Sequence, residues 1–457
     1  MPNDIATSLP TPPAPSATLP VTSDTDTDTD ADTYADTDAG TDTGADAHTD
    51  ADAGTGTGAH TDADAATGAR IDTEVSPPPR PFSDGALDEL AANLADGAEV
   101  VGAGESTRFS RETFGVRDAL LRRLVVRHGF RALAVQDSAG IGAELDRYVH
   151  GGPGTAASAL ADAWRPWRTE EMAGTLEWIR AFNRSHPENP VRIFGVKPVQ
   201  ARPADYDAVL DHVREHAPAL PARAASHLDP IRTAHRSDEH VQRARGTHPG
   251  RPFADHARDA LELVHSLPET TGHEDVVARM RLIVDFHERS VAGRGSFAGE
   301  PETQADAIAG FRERTGLRVV YWDGIAHTAA ARTGLGMAPG SEHGSTVGSA
   351  LRGRLGIGYA SLAIGFHHGD LGTVAVPHPA PDTVDARLGA VDLPAHWLDL
   401  RGDTARRDWA GPAKLRVISG VYDPSRDALE HLTVGSLTDA FDVLVHIREA
   451  SAVRRLP

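Results

Sequence analysis

The sequence predicts an α/β fold with a mostly parallel central sheet flanked by helices, and three observations carry that reading. From Pro81 onward, short apolar runs alternate with longer amphipathic segments, the pattern of strands covered by crossover helices. Some of those segments open on capping residues or close on glycine. Residues 204–298 keep a helical period with no strand-like run inside, and read as a helix-rich insertion, a cap or bundle packed against the sheet.

The elements follow in order. A first strand is expected over 99–103, then a helix over Arg111–His128 that spaces Phe114, Leu121, Leu124 and His128 along one face and stops at Gly129. A second strand follows at 132–135. The next helix, 169–183, opens on Thr-Glu-Glu-Met, which resembles a capping box, and carries Leu176, Trp178 and Ile179. A third strand is expected at 191–196. In the insertion, DAVLDHVREHA, ADHARDALELVHSL and EDVVARMRLIVDFHERS all repeat at helical spacing. Further strands are expected at 317–322, 360–365, 415–419 and 443–447. No internal repeat is found, and Gly102-Ala103-Gly104 lacks the third glycine of a dinucleotide fingerprint.

Of the 457 residues, 1–80 form a low-complexity acidic segment of Asp, Thr, Ala and Gly that is too poor in large apolar side chains to fold, and it reads as disordered. It holds sixteen acidic residues against Arg70 and Arg80, a net of −14 out of −21, leaving −7 for the α/β body over 81–457. Nucleic acid is excluded as a partner, because phosphate recognition needs a basic footprint. The tail reads as a solvating spacer. Its Asp-x-Asp spacing lacks the turn glycine and closing glutamate of a calcium loop. Cysteine is absent, which removes disulfides, thiolate metal sites and a cysteine nucleophile. With no signal-peptide pattern and no long apolar run, no membrane association is expected and a cytoplasmic location is the expectation.

The run GAGESTRFSRE, residues 102–112, follows Val100 and Val101. It resembles the signature loop of the erythromycin esterase family. Further blocks extend the resemblance in order over about residues 85–455: RDALLRRLVVRHGFRALAV, WRTEEM, IFGVKP, VVYWDGIAHTAA, VGSALRGRLGIGYASLAIGF, HWLDLR and VISGVYDP. In that family the first strand ends in Gly-Glu, and a His three residues later is the general base for attack on a lactone carbonyl. The resemblance implies hydrolysis of an ester or lactone in a bulky natural product, a small-molecule substrate and no cofactor.

Carried over residue by residue, Glu105, Glu112 and Arg117 stand at matching positions. Arg108 stands where the His is expected, and a guanidinium donates hydrogen bonds but does not accept a proton. Gln136 stands in place of a Glu, with Asp137 beside it as a substitute should the register slip by one. Lys197 replaces an Asp. The family's HNxH motif reads Gly324-Ile325-Ala326-His327, keeping only its last His.

These changes share a sign, so the cleft is expected to be more cationic than the family norm and to favour an anionic ligand held by Arg108, Arg117, Gln136 and Lys197. The competing reading pairs Arg108 internally with Glu105 or Glu112. The candidate catalytic residues are Glu105, Glu112 and His327, with His327 the first choice as base and an arginine holding the oxyanion. His327 also has a structural reading, in which it satisfies a backbone carbonyl. The alternative function is an inactive relative that binds an anionic small molecule or a partner protein. No metal is expected, because His367 and His368 are adjacent on a strand and should face opposite ways, and no HExxH spacing occurs. Trp164, Trp167 and Trp178 read as core, with a substrate-facing ring in the first pair as the other option. No GxSxG elbow surrounds any serine.

Overall fold

The computed structural model describes Val75 and residues 77–236, 239–244, 246–248, 250–289, 300–336, 343–372, 374–418 and 422–457. Most of the acidic segment at 1–80, the end of the insertion at 290–298 and part of VISGVYDP lie outside them. The strands are β1 (Arg80–Pro81), β2 (Val100–Glu105), β3 (Phe130–Ser138), β4 (Arg192–Lys197), β5 (Arg318–Gly324) and β6 (Thr333–Leu335). They continue as β7 (Tyr359–Asp370), β8 (Ala375–Val376), β9 (Ala395–Asp399), β10 (Ala413–Arg416), β11 (His431–Val434) and β12 (Val443–Ser451).

The large sheet runs β1-β9-β12-β7-β2-β5-β3-β4, with β8 added to β7. From β12 to β4 every neighbour is parallel, while β9 runs antiparallel to β12 and to β1. Strand β2 sits in the middle and is buried at all six residues, as a strand covered on both faces must be. From β2 the chain steps outward to β3 and β4, returns to fill the gap with β5, and then places β7 on the other flank. This reversal of direction opens a crevice at the carboxyl ends of β2 and its neighbours.

Helices cover both faces. Helix Arg111–His128 is capped by the Ser110 hydroxyl, which accepts from the amides of Glu112 and Thr113, and it stops at Gly129 with φ 70°. Its stripe of Phe114, Leu121 and Leu124 meets β2 and β5 residues such as Val101, Ala103, Val320 and Trp322 in one core. Helix Glu170–Ser185 starts on Thr169, whose hydroxyl accepts from the amide of Met172. The opposite face packs Val100, Val319, Tyr321 and Tyr359 against Ile308 and Leu351.

Between β4 and β5 the chain forms helices Pro203–His216, Pro221–Ile231, Glu239–Ala244, Phe253–His265 and His273–Arg289. They bury their own core around Tyr206, Leu228, Phe253, Met280 and Ile283.

The glycines of GAGE serve close packing. A Cβ on Gly102 would collide with the Tyr359 hydroxyl. One on Gly104 would collide with the Thr328 hydroxyl and lie 2.9 Å from Ile325 Cα. The short helix Ile325–Thr328, which carries His327, therefore rests directly on β2. No helix among the described residues is long and apolar enough to cross a membrane.

Candidate functional site

Two acids and two arginines meet where β2, β5 and β3 end. Glu105 closes β2 in register with Gly324 of β5 and Ile364 of β7, and its side chain is 1% exposed. Arg117, one turn after Phe114 on the apolar stripe, is equally buried and brings Nη1 to 2.9 Å from Glu105 Oε1. The contact joins two charges without an aligned hydrogen bond, for neither Glu105 oxygen nor Arg117 Nη1 has a well-directed partner. Three rings surround the guanidinium of Arg117: its carbon lies 4.9 Å from the Trp322 centroid, 5.1 Å from Phe114 and 5.3 Å from Trp167. The adjacent Ser106 hydroxyl is also buried without a hydrogen-bond partner.

The second pair is Arg108 with Asp323. Arg108 Nη2 donates to Asp323 Oδ1 at 2.7 Å and also to Gln136 Oε1. Asp323 is fully buried and further held by the Tyr321 hydroxyl at 2.5 Å and the Gly324 amide at 2.7 Å. Trp164 covers Arg108, with its ring centroid 4.7 Å from the guanidinium carbon. Trp164 is fixed in turn by Asp137, which accepts from the Trp164 amide at 2.8 Å and the Ser138 amide at 2.7 Å. Trp167 donates from Nε1 to the Gln136 carbonyl at 3.1 Å. It is thus Gln136 whose side chain meets Arg108, while Asp137 builds the wall.

The changes at 108 and 324 are spatially one. A Cβ at Gly324 would lie 3.2 Å from Arg108 Nη1 and 3.4 Å from Nη2. The guanidinium thus occupies the space into which a side chain at the first HNxH position would project.

Burial sets the protonation of this centre. Desolvation drives the Glu105 carboxyl up to about 7, against the pull of Arg117 and Arg108 and with a further push from Asp323. Desolvation likewise raises Asp137 to about 6, opposed by the two amides that bind it. Burial, with Asp323 beside it, holds the Tyr321 hydroxyl well above its ordinary value, so it stays a donor.

Several expectations change. The competing reading of Arg108 paired it with Glu105 or Glu112; it pairs internally, but with Asp323, and Glu105 takes Arg117, because the helix turns Arg117 inward while the loop carries Arg108 across to β5. The cationic cleft is not found at this centre, where each arginine faces a buried carboxylate. Lys197 lies 3.9 Å from Glu300. Glu112 caps the end of β12 instead of joining Glu105, accepting from the Ser451 amide at 2.6 Å and the Ser451 hydroxyl at 2.5 Å. Burial pushes its carboxyl up, but those bonds and one from Ser110 outweigh it and hold it low.

A groove of about 460 Å³ beside Glu112, lined also by Phe82, Val116, Pro394 and Ile447, contains none of Glu105, Arg108, Arg117, Gln136 or His327. His327 is half-buried on its short helix. Trp167 is core, whereas Trp164 is half-buried over Arg108. Asp323 was missed; its signal was a lone carboxylate ending the apolar run VVYWD. His367 and His368 do not diverge as expected, since their Nδ1 atoms lie 3.1 Å apart.

A profile of the erythromycin esterase family matches residues 125–450, well over half of the chain. The chain belongs to the erythromycin esterase family. The matched span starts inside helix Arg111–His128, after the loop that carries Glu105 and Arg108. No curated protein sequence matches. Among solved structures, a succinoglycan biosynthesis protein superposes with a TM-score of 0.56 at 20% identity, covering 82% of this chain and 95% of its own. A Bacillus cereus protein gives 0.56 at 18% identity, covering 83% and 97%. An erythromycin esterase mutant in its open conformation gives 0.49 at 15% identity, covering 79% and 93%. At these identities the first two likenesses concern the fold, a mixed α/β sheet flanked by helices. Membership of the erythromycin esterase family supports an esterase-like hydrolase in general.

Proposed function

We propose that this family member hydrolyses a neutral ester or lactone bond in a bulky natural product, with Glu105 as general base in place of the family's histidine. The observation that carries the reading is Glu105 itself: a carboxyl at the carboxyl end of the central strand, paired with Arg117 at 2.9 Å and raised by burial to about 7. A base is most effective when its pKa lies near the working pH. Ionised Glu105 takes a proton from water as the water oxygen bonds to the carbonyl carbon. The carbonyl oxygen becomes an oxyanion, for which Arg108, 16% exposed and permanently charged, supplies the donor as its guanidinium shifts from its partners Asp323 and Gln136. When the C–O bond breaks, the proton returns to the alkoxide from Glu105. The products are an acid and an alcohol, one water heavier in total. Balanced charge at the centre suits a neutral substrate.

The test is mass spectrometry on macrolides, simple lactones and aryl esters after incubation with the purified chain. Glu105→Gln should lower kcat by about 10²–10⁴-fold. Arg108→Ala should cost about 10²–10³-fold in kcat with little change in KM. Retention of full activity by Glu105→Gln rules out the assigned base.

One observation favours the second reading, an inactive relative that binds an anionic small molecule or a partner protein. Arg108 lies over Gly324 and is engaged by Asp323 and Gln136. That reading predicts no turnover by either wild type or Arg108→His, together with anion affinity that Arg108→Ala abolishes.

A further inference from the structure

Outside the Glu105 centre, a second cluster of chemically capable side chains lies along β7. Glu105 is in register with Ile364, and His367 follows three residues later, about 10 Å further along the strand. Strand β2 has ended by then, so the flank of β7 is left to the short antiparallel strand β8, after which comes His378. Along that open flank the rings of adjacent residues can turn toward each other. His367 and His368 place Nδ1 atoms 3.1 Å apart, and the ring of His378 lies 4.7 Å from that of His367 and 4.6 Å from that of His368. One ligand atom from each of the three lies within 4.8 Å of the others.

The backbone under this cluster is built to hold it. Arg416, almost wholly buried, donates from Nη1 to the His367 carbonyl and to the Pro377 carbonyl, each at 2.6 Å. It thereby ties together the two segments that bear His367 and His378. Its other nitrogen is clamped to both oxygens of Asp427 at 2.9 Å. The His367 ring lies so close to Gly389 that a Cβ there would collide with it.

We propose that His367, His368 and His378 form a three-histidine site for a divalent transition-metal ion of the zinc class. Two nitrogens bound to one Zn²⁺ at about 2.0–2.1 Å in tetrahedral geometry stand about 3.3 Å apart, close to the His367–His368 separation of 3.1 Å. His378 is exposed, its ring stacked on that of His368, and small ring rotations bring in this third donor. All-nitrogen donors select Zn²⁺, Ni²⁺ or Cu²⁺ over Mg²⁺ or Ca²⁺, which require oxygen. Three protein ligands leave a fourth position for water or a ligand group.

The experiment is titration of the full, untagged chain with Zn²⁺ by calorimetry and with Co²⁺ by visible absorption, alongside thermal unfolding. One equivalent should bind, with the visible bands of nitrogen-ligated Co²⁺ and a raised Tm. His378→Ala, at an exposed position, should weaken binding by at least about 10-fold, the lower limit seen when only a group behind a metal ligand is lost. His216→Ala, in the helical insertion, should not. Unchanged affinity and stoichiometry in His378→Ala, or no saturable binding by the wild type, overturns the proposal.

Discussion

Glu105 and Arg117 sit where the surrounding pattern calls for two apolar side chains. Arg117 falls on the stripe of Phe114, Leu121 and Leu124 and is walled by aromatic rings, so its charge is tolerated only with Glu105 opposite. Arg117→Met should destabilise the fold at pH 8 by about 3–5 kcal/mol, the cost of breaking a buried pair, as read by denaturant unfolding. The loss should shrink at pH 5, where the Glu105 carboxyl is neutral. The wild type has its own linkage. With a folded value of about 7 above the ordinary 4.5, Glu105 favours the folded state below pH 4.5, and that contribution is lost as pH rises through 7. Asp137 and Asp385, both raised to about 6 first by burial, act in the same direction. Glu105, Arg108 and Gln136 were legible because each occupies a strand end or its loop in a patterned block. Asp323 was not, since a single carboxylate after an apolar run has many ordinary explanations. The pairing of Arg108 with Asp323, 215 positions apart, required the fold.

At the scale of elements, β2 and the helix Ile325–Thr328 form one unit because Gly104 lets them touch. Gly104→Ala forces the Thr328 hydroxyl and the Ile325 backbone away, and should cost about 1–3 kcal/mol in thermal unfolding while shifting His327. Gly324→Ala is the milder companion. Its Cβ presses on the Arg108 guanidinium that Asp323 and Gln136 hold, so it should alter activity more than Tm. The central parallel strands and the helix Arg111–His128 were readable from apolar runs, caps and a stop glycine. Strand β9 was not, because Ala-His-Trp-Leu-Asp offers only five residues with two polar ones, and its antiparallel place depends on β12. Likewise, the expectation that His367 and His368 diverge applied the strand rule where β7 has lost its neighbour β2. There β7 still pairs with β12, but the register passes from Phe366 opposite Ile447 to His368 opposite Glu449 without His367, and the two rings turn toward each other.

For the whole molecule, charge and fold separate. The acidic excess concentrates in residues 1–80, whereas Val75 already joins the core of Leu398, Leu432 and Leu444. We propose that the folded unit needs nothing before Val75. A chain of residues 75–457 should melt at the same temperature as the full chain and keep its activity, checked by calorimetry and by the ester panel. The most direct measurement is the pH dependence of kcat/KM for ester or lactone cleavage in ¹⁸O-water, comparing wild type with Glu105→Gln. The account predicts a rise through about pH 7 and one labelled oxygen in the acid product, with a rate about 10²–10⁴-fold lower and no such rise in the variant. A Glu105→Gln protein that keeps the rate and its pH profile, or a wild type that turns over none of the substrates, would contradict it.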